Sequence, residues 1–131
     1  QLGLDNISFP GYLDQENLLK VYEEASVLIS HVRKNPVFKW TQPAKLWEYM
    51  ATGRPLVHAG EGESVDIIQK FGLGIVVSPE APKQMAQAIE YLIVNEDSAL
   101  EFAARAKEFV IKERKRSALI ERHIEILGRL K

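Results

Sequence analysis

The sequence contains no cysteine. That excludes disulfides and thiolate zinc sites, and it is compatible with a reducing, cytoplasmic setting. No apolar run approaches the ~20 residues needed to span a bilayer, and no secretory signal is visible. Charge of one sign is also lacking: 17 Lys/Arg stand against 18 Asp/Glu, for a net charge of −1. The chain as a whole therefore gives no electrostatic argument for nucleic acid. What remains is 131 residues, 46% hydrophobic and 27% charged. This is ordinary for a globular protein and long enough for one domain with its own core.

The charge is unevenly spread. Residues 98–131 carry nine Lys/Arg against five Asp/Glu, so the rest of the chain is net acidic. The run Lys112-Glu113-Arg114-Lys115-Arg116 can touch phosphates or a membrane surface, or simply form the solvated face of a long helix. The chain begins at Gln1 rather than Met, which suggests a piece excised from something longer.

Hydrophobic patterning predicts alternating strands and helices. Ile7-Ser8-Phe9 is a short strand candidate, closed by Pro10-Gly11. Asp14 is a plausible N-cap for a helix to about Ala25, with Leu18, Tyr22 and Ala25 on one buried face. Val27-Leu28-Ile29-Ser30 is an apolar run typical of parallel strands buried on both faces. A polar, proline-bearing loop follows over residues 31–42, then a helix over 43–51 stopped by Gly53. Leu56-Val57-His58 is the next strand, and residues 59–63 form a glycine-rich loop. Ser64 is placed to cap a helix over 65–70, ended by Gly72 and Gly74. Ile75-Val76-Val77 is a fourth strand. Pro82 suits the first turn of a helix with Met85, Ile89, Leu92 and Ile93 on its apolar face. Asn95 or Asp97 then caps a long helical region. Its stripes are Phe102, Ala106, Phe109 and Val110, and further on Ile120, Ile124 and Leu127.

The order β-α-β-α-β-α-β-α-α predicts an α/β fold: a Rossmann-like open parallel sheet with helices on both faces, ending in long C-terminal helices. Ligands of such sheets bind beyond the C-terminal strand ends, so residues 30–42 and 59–63 should line one edge.

The densest chemistry lies in residues 41–58. A proline at the start of a helix wastes no hydrogen bond, because that N–H would be free anyway. The first-turn amides from Ala44 onward and the helix dipole favour an anion, and Lys45 adds a full charge. Glu48, three residues on, shares a face with Lys45 and can accept hydrogen bonds from vicinal hydroxyls. An exposed Lys45–Glu48 pair worth a few tenths of a kcal/mol is the plain alternative. The loop Gly60-Glu61-Gly62-Glu63-Ser64 matches neither the P-loop nor the G-x-G-x-x-G pattern, and reads as a strand-to-helix turn. His31 and His58 each end a strand; either is a general-base candidate or a polar strand-end residue. His123 reads as a helix surface residue. Trp47 suits the core. Trp40, at the predicted edge, can stack on a base or sugar, or cover a partner's apolar surface. No metal-ligand spacing, Ser/His/Asp constellation or paired-carboxylate site is present.

These residues resemble the group 1 retaining glycosyltransferases. Phe9-Pro10-Gly11-Tyr12-Leu13 with residues 18–30 is similar to one family segment. Pro43-x-Lys45-x-x-Glu48-Tyr49-Met50-Ala51-x-Gly53-x-Pro55-Leu56-Val57 is similar to the family's donor-site helix, and residues 60–77 resemble its following glycine-bearing segment. The match runs from about Phe9 to Ile93. Its closest flavour is the subgroup acting on amino-sugar nucleotides in bacterial surface polysaccharide assembly.

The resemblance implies a two-Rossmann-domain, type B enzyme of which this chain is most of the C-terminal, donor-binding domain. The N-terminal acceptor domain and the first βα unit would then be absent. It implies that Glu48 binds the ribose of a nucleotide diphosphate sugar, UDP-sugar favoured. Lys45, Ala44 and Thr41 would lie near the diphosphate, and the Gly53-Arg54-Pro55 turn would be structural. No separate cofactor is implied. The partners would be the donor, the missing domain and a hydroxyl acceptor. The setting would be cytoplasmic, with peripheral association of the parent at the inner membrane face as an option. The isolated chain would be inactive.

Two departures stand out besides the missing domain. Where the family often has a second glutamate facing the transferred sugar, eight residues before Glu48, this chain has Trp40. The upstream basic residues that usually neutralise the diphosphate are absent. The last apolar stripe would face the missing domain. A non-catalytic flavodoxin-like interaction module is the alternative; it would need acidic residues at strand ends, and Ser30 and His58 end theirs without an aspartate.

Overall fold

The computed structural model describes residues 5–113. The apolar stripe of Ile120, Ile124 and Leu127, the basic run beyond Glu113, and His123 lie outside the described residues.

Three short strands form a parallel sheet in the order β1 (Leu28–His31), β2 (Leu56–Ala59), β3 (Ile75–Val77). Helix α1 (Gln15–Glu24) precedes β1. A 3₁₀ turn (Pro36–Trp40) and α2 (Ala44–Thr52) connect β1 to β2. Helix α3 (Glu63–Phe71) connects β2 to β3, and α4 (Pro82–Val94) and α5 (Glu96–Glu113) follow. The register pairs Leu28 with Leu56 and Ser30 with His58, then Val57 with Ile75 and Ala59 with Val77.

Strand alternation sorts the core into two clusters. Leu56 and Val76 point to one face, where Leu46 and Met50 of α2, Ile68 of α3, Leu73 and Ala106 of α5 close around them. Val57, Ala59, Ile75 and Val77 point to the other, against Met85, Ala88, Ile89 and Leu92 of α4 and Ala99 of α5. Helices therefore cover both faces, as alternating elements joined by short links require. Helix α5 serves both clusters, Ala99 and Phe102 on one and Ala106, Phe109 and Val110 on the other. Its small residues let it pass close to α2, and Trp47 stacks on Phe109 at 6.4 Å between centroids.

Several local expectations hold. Asp14 caps α1 by accepting from Asn17 N–H at 2.9 Å. Gly53 ends α2 in the left-handed region, and Pro82 opens α4. Asn95 sits where α5 begins, but its side-chain amide donates back to the Tyr91 carbonyl at 2.9 Å, so it closes α4 rather than capping α5 with its side chain.

Others are corrected. Ile7-Ser8-Phe9 is not a strand; Ile7 and Phe9 are exposed, and no described segment pairs with them. The sheet thus has three described strands rather than four. The first strand is not buried on both faces: Leu28 and Ser30 are buried, Ile29 and His31 exposed. The reason is position. β1 is an edge strand, and α4 packs on β2 and β3. Pro43 is the N-cap of α2, in extended conformation, rather than its first helical residue. Ile93 is exposed, its expected place in the core taken by Ala88. Ser64 does not cap α3: Gly62 holds the N-cap position and Ser64 lies buried in the first turn.

Candidate functional site

The segment leading into α2 is built by local hydrogen bonds. Asn35 accepts from Val37 N–H at 3.0 Å and starts the 3₁₀ turn, with Pro36 fixing its first φ. Thr41 closes it: its N–H donates to the Phe38 carbonyl at 3.2 Å and its hydroxyl to the Val37 carbonyl at 3.1 Å. The Thr41 hydroxyl proton is therefore committed, and its oxygen lone pairs are what it can offer a ligand. Trp40, on the same turn, is 86% exposed.

Helix α2 then begins without a side-chain cap. Orphan amides at an uncapped N-terminus, together with the helix dipole, favour an anion. Ala44 and Lys45 are both exposed there. The ion pairs among the described residues are Glu16–Lys20, Lys39–Glu61, Glu101–Arg105 and Glu108–Lys112. Lys45–Glu48 is not one of them, so the two exposed charges are not tied to each other.

Glu48 lines a groove of about 810 Å³ between α1, α2 and α5, walled by Tyr12, Leu13, Leu18 and Tyr22 with Thr52 and Lys107 beside it. Tyr22 packs edge-on to Tyr49 at 5.2 Å. Burial pushes the Tyr22 hydroxyl above its usual value, and the nearby Tyr49 and Glu48 charges add to this. The groove offers aromatic and aliphatic walls with two carboxylates, Glu48 on α2 and Glu23 on α1, a combination suited to a flat ring carrying hydroxyls. Thr41 and Pro43 instead border a separate hollow of about 440 Å³ with His31, Val32, Arg33 and Phe38. The expected site residues thus divide: Glu48 in the groove, Ala44 and Lys45 on the exposed first turn of α2, Thr41 at the hollow and Trp40 on the turn.

A second cluster escaped the sequence reading. His58, fully buried, has Nδ1 at 3.1 Å from the Ser30 hydroxyl and Nε2 at 3.3 Å from the Ser64 hydroxyl. Burial pushes its imidazole down to about 4, and the neighbouring His31 acts in the same direction. At neutral pH the ring is uncharged, so one nitrogen donates and the other accepts; each serine hydroxyl can meet either. A general base held between two hydroxyls inside the core cannot reach a ligand, which removes His58 from that role. His31 is exposed at the end of β1. The sequence signal for the cluster was a lone polar residue inside the run Leu56-Val57-His58-Ala59, followed by two glycines.

Those glycines have separate reasons. A Cβ on Gly60 would collide with the His58 ring. Gly62 has φ 85° and ψ −152°, a conformation essentially confined to glycine, and a Cβ there would strike the Lys39 backbone.

The sequence matches the family described as glycosyl transferases group 1 over residues 1–95. The chain belongs to that family. No curated protein sequence matches it. Two solved structures share the fold of this group 1 chain. HepE from Anabaena, in complex with UDP-glucose, superposes with a TM-score of 0.71 at 16% identity, covering 83% of this chain and 29% of HepE. Sucrose-phosphate synthase from Thermosynechococcus elongatus gives a TM-score of 0.79 at 21% identity, covering 96% of this chain and 30% of the synthase. The group 1 chain thus spans less than a third of the length of either. Among its described residues, no three His, Cys, Asp or Glu side chains gather to hold a metal. No described helix is long and apolar enough to cross a membrane.

Proposed function

We propose that this chain carries the donor site of a glycosyltransferase that moves a sugar from a nucleotide diphosphate sugar to a hydroxyl acceptor. The observation that carries this reading is the Glu48 groove on a helix whose uncapped N-terminus bears Lys45. Glu48 accepts hydrogen bonds from the ribose hydroxyls while the groove walls cover the base. The diphosphate lies toward the Ala44 and Lys45 amides and the Lys45 ammonium, some 1.5 Å per residue along the helix axis from Glu48. Thr41 and Trp40 border the sugar end. Family membership and the fold shared with a UDP-glucose-bound protein support a UDP-sugar as donor. An amino-sugar donor, a role in bacterial surface polysaccharide assembly, and peripheral attachment of the parent to the inner membrane face complete the proposal.

The test is calorimetric titration of the chain with UDP and UDP-sugars, with Glu48→Ala as control. Because Glu48 is exposed, the variant should unfold at the same temperature as the parent sequence yet lose about tenfold or more in UDP affinity, consistent with loss of charge-assisted hydrogen bonds. Equal affinity in the variant would remove Glu48 from the donor site. The chain alone should not turn over a nucleotide sugar; measurable transfer would refute that part.

A further inference from the structure

We propose that His58 is a positioning residue for the start of α2, acting through residues 60–62 and the 3₁₀ turn. The proposal rests on the reading of α2 as the donor helix.

The path runs through contacts that each leave little freedom. His58 lies one residue before the C-terminal end of the central strand and joins Ser30 of β1 to Ser64 in the first turn of α3. Its two ring nitrogens are a fixed distance apart, so the imidazole sets how far α3 begins from β1. Gly60 lies directly against the ring with no room for a side chain. Two residues on, Gly62 lies equally close to the Lys39 backbone. Glu61 reaches the Lys39 ammonium at 3.8 Å, adding an ion pair to the same contact. Lys39 belongs to the 3₁₀ turn, whose last hydrogen bond is made by Thr41, and Pro43 is the N-cap of α2. Only residues 41–43 separate the clamped turn from the Ala44 and Lys45 amides.

A leucine would fill the ring's space but strand both serine hydroxyls and release the loop. The loop, the turn and the helix start would then lose their shared reference. A displacement of about 1 Å at a binding group is enough to cost a large factor in function.

The experiment compares His58→Leu, Gly60→Ala and His58→Gln in the chain, reading amide NMR of Ala44 and Lys45, the two tryptophan indole signals, and UDP affinity. His58→Leu removes the hydrogen bonds, Gly60→Ala pushes on the ring without changing its chemistry, and His58→Gln offers an amide atom to each hydroxyl. The first two should shift the Ala44 and Lys45 amides and the Trp40 indole, leave the Trp47 indole in place, and weaken UDP about tenfold. His58→Gln should recover part of both. A merely structural role would lower the unfolding midpoint without moving the α2 amides of the folded protein. Folded His58→Leu or Gly60→Ala protein with unchanged α2 amides overturns the proposal. If His58→Leu does not fold, Gly60→Ala and Ser64→Ala decide. If the unaltered chain does not bind UDP, the donor reading falls, and the amide shifts alone judge the positioning role.

Discussion

His31 and His58 occupy the same kind of place in the sequence, each at the end of an apolar strand, yet they have opposite environments. His58, on the central strand, is fully buried between two hydroxyls; His31, on the edge strand, is exposed. The strands differ in the same way: every residue of β2 is buried, whereas β1 alternates buried and exposed. Strand sequence sets what each position could bury, and the neighbours in the sheet set what it does bury. A histidine inside a core is held neutral, and its two hydrogen bonds become a structural joint; at an edge the same side chain faces solvent.

The sharpest way to break this comparison is to remove each ring in turn. His58→Ala should destabilise the chain by about 3–5 kcal/mol, through a cavity and two buried hydroxyls without partners. His31→Ala should fall within about 0.5 kcal/mol of the unaltered chain. Urea unfolding of both variants checks the contrast, and equal losses would end it.

Acid should expose the same difference without mutation. The folded His58 imidazole titrates at about 4, against an ordinary value of 6.5. In the window between those values the unfolded chain binds a proton that the folded chain refuses. Stability is therefore complete above about pH 6.5 and falls as the pH drops toward 4, by about 3 kcal/mol in all. His58→Phe should flatten that part of the profile. A slope unchanged in the variant would assign the acid sensitivity to other groups.

A smaller effect sharpens the strand comparison itself. Val57→Ala on β2 should cost about 2 kcal/mol, because Val57 is enclosed between β3 and α4. Ile29→Ala on β1 removes a larger side chain but should cost less than about 1 kcal/mol, because Ile29 is 45% exposed. Urea midpoints in the reverse order would show that the face of β1 carrying Ile29 is covered in solution.

Much of the fold was legible in local chemistry. The Asp14 cap, the Gly53 stop and Pro82 at the start of α4 are all where spacing and capping rules put them. These features depend on residues within a turn or two of each other. The errors lie where distant residues decide. Ile7-Ser8-Phe9 has strand composition but no described partner. Ser64 has the chemistry of a cap, yet a histidine six residues earlier claims its hydroxyl.

The candidate site divides along the same line. Glu48, Lys45 and the amide of Ala44 were readable, because helix periodicity and an uncapped start are local properties of residues 43–52. The groove beside Glu48 was not, since Tyr12, Leu18 and Tyr22 reach it only because α1 packs next to α2.

The sequence by itself determined much of the alternation of helices and strands, and where several of them end, because capping, periodicity and backbone preference act over a few residues. Only the tertiary structure decided which strand lies in the centre, which histidine is buried, and which walls stand beside Glu48. Those outcomes depend on desolvation and packing between segments far apart in the chain, and no local pattern encodes which segments will meet.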